Sequence, residues 1–285
     1  MSSLDVNPEK LDFIFLEEAV WIAKANVGVP IYDFEFDNFF ACRRPFYRPE
    51  KIKVVGRFGV TSNYEELFDS LKNDGIELIH TPSQYLLASD LTHWYKHISD
   101  LTPKSMWFEQ PPDAKEIENY FDYPIFVKGS RQTSRHKATL SIIFSNEEYQ
   151  NCVDEFKQNS VLHWQKFVVR EFVKLRKVEA RLTEKIPPSF EFRTFWWKGE
   201  LVGAGSYWKD FANYDWTELE KTQAVNLAKT AVERLKIPFI VIDIAQKADG
   251  NWVVIECNDG QESGYASISP IALWQKIIDI EKSVE

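Results

Sequence analysis

Cysteine is scarce in this chain. Its 285 residues include three, Cys42, Cys152 and Cys257, an odd number, far apart and without a C-x-x-C spacing. That pattern argues against a disulfide framework and against a thiolate zinc site, and it fits a reducing, cytoplasmic setting. Long apolar runs are also missing: none approaches the ~18 residues of a membrane span. The first residues, MSSLDVNPEK, are polar and carry no apolar leader core, so no membrane association is expected. Positive charge is not in excess. The net charge is −9 at pH 7, which disfavours general nucleic-acid binding but still allows a local basic pocket for a small phosphate compound. Neither G-x-x-x-x-G-K-[ST] nor G-x-S-x-G occurs, and the five histidines lack metalloprotease spacing. Aromatic residues are abundant, with ten Trp and 21 Phe, and burial is their default role.

The pattern along the chain predicts an α+β protein. Ile52–Phe58 reads as a buried strand. A helix follows, opened by a Ser62/Glu65 capping box, with Tyr64, Leu67, Phe68 and Leu71 on its apolar face and Gly75 as its stop. Ile76–His80 is the next strand, and a strand–helix–strand unit of this size implies a parallel pair. Pro111-Pro112 marks the expected boundary between residues 1–110 and 111–285. Beyond it come a short helix from Asp113, strands at Tyr123–Gly129 and Thr139–Phe144, and a helix capped by Ser145 and Glu148. Phe167–Val173 follows as a strand. Phe190–Trp197 and Glu200–Trp208 flank a Lys198-Gly199 turn, and a long helix is expected from the Asp215/Glu218 cap.

The stretch IPFIVIDIAQKADGNWVVIECNDG holds the strongest local signal, Asp-Gly between two apolar runs. A two-residue turn at Asp249-Gly250 sets Ala248 opposite Asn251. Counting back along both strands then sets Asp243 opposite Glu256, with Asn258 on the same face. Ile242, Ile244, Val253, Ile255 and Cys257 fall on the other face, as a core. Two opposed carboxylates repel unless compensated. A divalent cation held by Asp243, Glu256 and Asn258 would do this, and the oxygen donors suit magnesium beside phosphates. A shared proton or a salt bridge to a nearby Arg or Lys would do it too.

Lys128 ends an apolar strand, and the loop after it carries Arg131, Arg135, His136 and Lys137 among small residues. Cations in such a loop can neutralise phosphate, though a solvated turn has the same composition. Glu191 and Arg193 share a strand face, either as an ion pair or as contacts to a triphosphate. Arg57 ends the first parallel strand, where ligand crevices form in parallel sheets, and a capping role is equally open to it.

The order of these pieces resembles the ATP-grasp superfamily. YPIFVKGS, VVREFV, EFRTFWWKGELVG and VIDIAQKADGNWVVIECNDGQESG carry the likeness. RFGVTSNYEELFDSLKNDGIELIHTPSQY and LTHWYKHISDLTPKSMWF extend it toward the amide-ligase clade named for one arginine and two lysines. The resemblance implies two α+β subdomains gripping ATP, preceded by a small α/β pre-grasp domain. It implies ATP and Mg2+ as cofactors. Lys128, Arg131, Arg135 and His136 would lie on the phosphate side, and Glu171, Phe172 and Val173 would form the adenine hinge. Glu191 and Arg193 would face ribose or triphosphate, Asp243, Glu256 and Asn258 would hold magnesium, and Arg57 would serve the acceptor or acyl phosphate. The clade's second lysine has no direct counterpart in GSRQTSRHK, so Arg131, Arg135 or Lys137 must stand in.

The implied activity is a carboxylate–amine ligase that forms an amide or peptide bond between small-molecule or peptide substrates. A kinase-like phosphotransferase on the same fold is the enzymatic alternative. A nucleotide-responsive binding module without turnover is the non-enzymatic one. Neither the substrates nor the oligomeric state is written in the sequence.

Overall fold

The computed structural model describes residues 52–59, 61–131, 138–180 and 186–283. Arg135, His136 and Lys137 lie outside them, as does Cys42. Three sheets organise the described chain. Strand β1 (Ile52–Val54), helix α1 (Tyr64–Asn73) and strand β2 (Ile76–Leu78) form the expected parallel unit. Tyr64, Leu67, Phe68 and Leu71 are its buried helix face. The capping box is absent: Asn63 occupies the cap position, and its side chain makes no capping bond. Gly75, at φ 82°, takes the left-handed turn that leads into β2.

Helices α2 (Pro82–Ser89) and α3 (Leu91–Ile98) lead to strand β3 (Ser105–Phe108). Helix α4 (Ala114–Glu118), strand β4 (Ile125–Gly129), helix α5 (Ala138–Ser141), strand β5 (Ile142–Ile143), helix α6 (Asn146–Gln158) and strand β6 (Phe167–Glu171) follow. The expected strand over Thr139–Phe144 is thus a helical turn as far as Ser141 and a strand only at Ile142–Ile143. These strands form an antiparallel sheet in the order β3-β6-β4-β5. Strand β3 precedes Pro111-Pro112 yet pairs with β6, so this sheet crosses the expected boundary.

Strands β7 (Glu191–Trp197) and β8 (Glu200–Ser206), helix α7 (Glu218–Leu235), strands β9 (Phe239–Gln246) and β10 (Trp252–Asp259) and helix α8 (Pro270–Ser283) complete the chain. The second antiparallel sheet runs β10-β9-β7-β8. Thr217 and Glu220 form the capping box of α7, two residues beyond the expected start. Ala224, Ala228 and Ala231 are fully buried, and their small side chains let α7 lie close against Ile240, Ile242 and Ile244.

The β9–β10 hairpin reaches the expected opposition by another route. Its loop has three residues, with Lys247 N–H donating to the Asn251 carbonyl at 2.8 Å and Gly250 in the left-handed region at φ 89°. Trp252 therefore pairs with Gln246 and Val254 with Ile244, one step off the two-residue register. A bulge at Ile255 restores that step, and Glu256 pairs with Asp243. The bulge also changes the core face. Val254 and Cys257 join Ile242 and Ile244 in the core, whereas Ile255 turns toward a cavity.

Since that loop sets the register, it offers a direct test. Gly250→Ala places a Cβ in a left-handed conformation that costs about 1–2 kcal/mol. The urea midpoint should fall accordingly with an unchanged m-value, and Gly250→Asn should lose less.

Candidate active site

Strand β9 lies between β7 and β10, so Asp243 faces Arg193 on one side and Glu256 on the other. Arg193 donates from Nε to Asp243 Oδ1 at 2.8 Å and from Nη2 to Oδ2 at 2.7 Å, a bidentate pair. Asn258 Nδ2 donates to Oδ2 at 3.2 Å. Glu256 is ion-paired with Lys128, which reaches it from β4 in the other sheet. Asp243 is 1 % exposed and Lys128 4 %. Burial alone would lower the Arg193 pKa; the Asp243 carboxylate outweighs it and holds Arg193 above its ordinary value. In the described structure each opposed carboxylate therefore has its own cation.

A cavity of about 200 Å³ opens beside this cluster. Phe126, Ile142, Phe172, Val173, Ile186 and Ile255 provide apolar wall, and Lys128, Glu171, Glu191 and Glu256 provide charge. Arg170 joins the two sheets behind it, donating to the Ile255 carbonyl at 2.7 Å and to Thr102 Oγ1 at 2.6 Å. Glu191 does not pair with Arg193, although the two share a face. Its Oε2 accepts from Trp208 Nε1 at 3.0 Å and from Ser189 Oγ at 3.3 Å. Burial pushes the Glu191 carboxyl up to about 8, and Asp243 adds to the rise.

Lys128, Glu171, Phe172, Val173, Glu191 and Glu256 thus line one cavity, with Arg193, Asp243 and Asn258 adjoining it through Glu256. Arg131 stands at the exit of β4. Its Nη1 donates to the Thr61 carbonyl at 2.6 Å, and its guanidinium lies over the Tyr85 and Trp164 rings. Arg57 lies apart from the cavity. It is 1 % exposed and donates to the carbonyls of Gly260, Gln261 and Ser263, the last at 2.7 Å. Its guanidinium also sits over the Tyr265 ring. Arg57 therefore fastens the segment that follows β10.

Three residues join the site without having been singled out as site residues. Ile255 reads as core by strand alternation, and only the bulge turns it outward. Trp208 reads as packing, and its N–H lies on Glu191. Arg170 sits inside an apolar run, VVREFV, and a cation in such a run was the available signal. Among the described residues, no group of three or more His, Cys, Asp or Glu could hold a metal ion. Asp243 and Glu256 make two carboxylates, with the Asn258 amide beside them.

The raised Glu191 carboxyl has a measurable consequence. From about pH 4.5, the ordinary value, to about pH 8, the native state holds a proton that the unfolded chain has released. The Glu191 contribution to stability therefore declines as pH rises across that window. Glu191→Gln should flatten this part of the stability–pH profile measured by urea unfolding. An equally steep profile in the variant would show that another group causes the slope.

Known proteins share this architecture. The ATP-grasp domain of family 3 in the clade named for one arginine and two lysines matches residues 94–277. No curated protein matches the chain. Among solved structures, the RimK domain protein ATP-grasp from Sphaerobacter thermophilus superposes with a TM-score of 0.56 at 13% identity, covering 93% of this chain and 94% of that one. The VanG D-Ala:D-Ser ligase from Enterococcus faecalis gives 0.57 at 18% identity, covering 81% and 71%. D-alanyl-alanine synthetase A from Vibrio cholerae gives 0.53 at 14% identity, covering 82% and 77%. Two antiparallel sheets around a charged cavity, and a family match over most of the chain, establish that this protein belongs to the ATP-grasp superfamily, in the clade named for one arginine and two lysines.

Proposed function

We propose that the protein is an ATP-dependent carboxylate–amine ligase acting through an acyl phosphate. One observation carries this reading: an apolar cavity that runs into the Lys128–Glu256 pair, with the Arg193–Asp243 pair on the strands next to it, in a chain of the ATP-grasp superfamily. The walls at Phe172, Val173 and Ile255 suit the faces of adenine, with the Glu171–Val173 backbone reading the base edge. Glu191 would meet the ribose. Lys128 and Arg131 would meet phosphates, and Arg135 and His136 would complete the phosphate side.

Asp243, Glu256 and Asn258 would hold magnesium. Their oxygens are of the kind this ion takes, and phosphate oxygens would complete the set. The cations now paired with the carboxylates, Lys128 and Arg193, are those a triphosphate would engage. Magnesium bound there would neutralise charge on the transferring phosphate. The residues of the chain do the rest by position. A substrate carboxylate oxygen bonds to the γ-phosphorus as the bond to ADP breaks. An amine nitrogen then bonds to the acyl carbon as phosphate leaves. Arg193 would offset the negative charge on both leaving groups. Neither step requires a covalent protein intermediate. Among the described residues no helix is long and apolar enough to cross a membrane, and the substrates proposed are small molecules or peptides in the cytoplasm.

The reaction class is tested by ADP release from magnesium-ATP across a panel of amino acids and peptides. Release that requires an amine together with a carboxylate supports the ligase. Release with a hydroxyl acceptor and no amine would mean a phosphotransferase. Tight magnesium-ATP binding with no release across the panel would mean a binding module.

Two variants probe the site itself. Lys128→Met removes a charge-assisted contact worth about 1.5–3 kcal/mol, so calorimetry should show magnesium-ATP binding weakened roughly tenfold or more. Glu256→Gln keeps the shape, removes one charge and should shrink the thermal shift produced by magnesium-ATP. Wild-type affinity in a folded Lys128→Met protein would take Lys128 out of the nucleotide site.

A further inference from the structure

Strand β10 departs from the regular ladder at Val254 and Ile255, and its backbone there is held from outside its own sheet. Among the described strands β10 lies at the sheet edge and pairs with β9 alone. In a regular strand successive carbonyls point to opposite edges. Here the carbonyls of Val254 and Ile255 both turn to the same side, away from β9. Thr102 Oγ1 donates to the first at 2.9 Å, and Arg170 Nη1 donates to the second at 2.7 Å. Arg170 Nη2 donates to Thr102 Oγ1 at 2.6 Å and joins the two holds. Val254 N–H donates to the Leu101 carbonyl at 2.8 Å. Two neighbouring carbonyls on one side are the mark of a bulge, and each has its own donor.

This clamp sits where a register is decided. Without the bulge, the Val254–Ile244 pair would be followed by Ile255 opposite Asp243 and Glu256 opposite Ile242. Glu256 would then point to the other face from Asp243, because a one-residue slip reverses every side chain. Arg170 is also costly to keep. It is 4 % exposed, and its hydrogen bonds go to the Ser105 and Thr102 hydroxyls and the Ile255 carbonyl rather than to a carboxylate. Burial lowers its pKa to about 10, against the opposing charge of Glu256. What this buried guanidinium holds is the bulge.

We infer that Arg170 and Thr102 are positioning residues for the proposed magnesium site: by capturing both carbonyls of the bulge they keep Glu256 opposite Asp243. This inference deepens the ligase reading and rests on its magnesium assignment. Neither residue touches the ion; both act through the backbone of β10.

ADP is the probe, and calorimetry on the full chain measures its affinity with and without magnesium. Wild-type protein should bind ADP at least about tenfold more tightly with magnesium. In Thr102→Val, which changes no charge, that gain should fall to about twofold or less, while metal-free ADP affinity stays within about twofold. Thr102→Ser keeps the hydroxyl and should keep the gain. Arg170→Met separates position from charge. If Arg170 acted only as a cation near Glu256, its loss would strengthen magnesium binding, because like charges repel; loss of position weakens it. Thr102→Val decides alone if Arg170→Met does not fold. A second arm needs no metal: amide hydrogen exchange over Val254–Cys257 should quicken at least about tenfold in Thr102→Val and stay unchanged over β7 and β8. The inference is overturned if Thr102→Val keeps the full magnesium gain, if Arg170→Met raises that gain, or if exchange over Val254–Cys257 is unaltered. Should wild-type protein show no magnesium gain, the magnesium assignment fails instead, and the exchange arm still judges the clamp.

Discussion

Two carboxylates facing each other across the β9–β10 pair cannot stay buried without nearby positive charge. Arg193 and Lys128 supply it, from different sheets. A buried ion pair adds little net stability, because desolvation offsets most of the attraction. Removing one partner is another matter, because it strands a charge in a dry place, at a cost of about 3–5 kcal/mol. The Lys128–Glu256 pair therefore constrains how the two sheets face each other. Arg170 strengthens the same joint through the Ile255 carbonyl, at the bulge that aligns the carboxylates. The cavity between the sheets follows from this constraint.

The hairpin shows what strand alternation can and cannot convey. Asp-Gly marks the turn, and the opposition of Asp243 and Glu256 follows from counting, yet two departures from the ideal count cancel. The loop is one residue longer than a tight turn, and Ile255 bulges. Alternation cannot reveal a bulge set by tertiary contact, so Ile255 reads as core when it is cavity wall. The parallel unit at Ile52–Leu78 was legible because its helix face is strongly periodic. Thr139–Phe144 was not, because a short β-branched run fits a strand or a helical turn until its neighbours decide. Proline at 111 and 112 suggested a boundary, but hydrogen bonding between β3 and β6 outweighs a local stiffening of the chain.

Charged residues were legible by position and less so by partner. Glu191 and Arg193 share a face, yet Arg193 turns to the adjacent strand, where a planar carboxylate meets its two N–H groups. Arg57 sits at the end of a parallel strand, a place where ligands often bind. Its donors go to backbone carbonyls brought from about two hundred residues away, and such long-range contacts leave no local trace in sequence.

The N-terminal unit gains a purpose from these contacts. Gly56, Arg57 and Phe58 all bond to the segment after β10. His80 accepts from Phe239 N–H at 3.1 Å through Nε2, so its Nδ1 carries the proton and donates to Asp259 at 2.8 Å. The parallel unit thereby holds the far end of the same strand whose near end faces the cavity. Glu256 and Asn258 are registered by β9, and residues 260–264 are registered by Arg57 and Arg193. The ligation proposed would need the nucleotide, the acid and the amine in line, and an effective molarity gained by alignment is lost with small displacements. Anchoring one strand at both ends, by a sheet partner on one side and a buried arginine on the other, would keep that line straight without a covalent nucleophile.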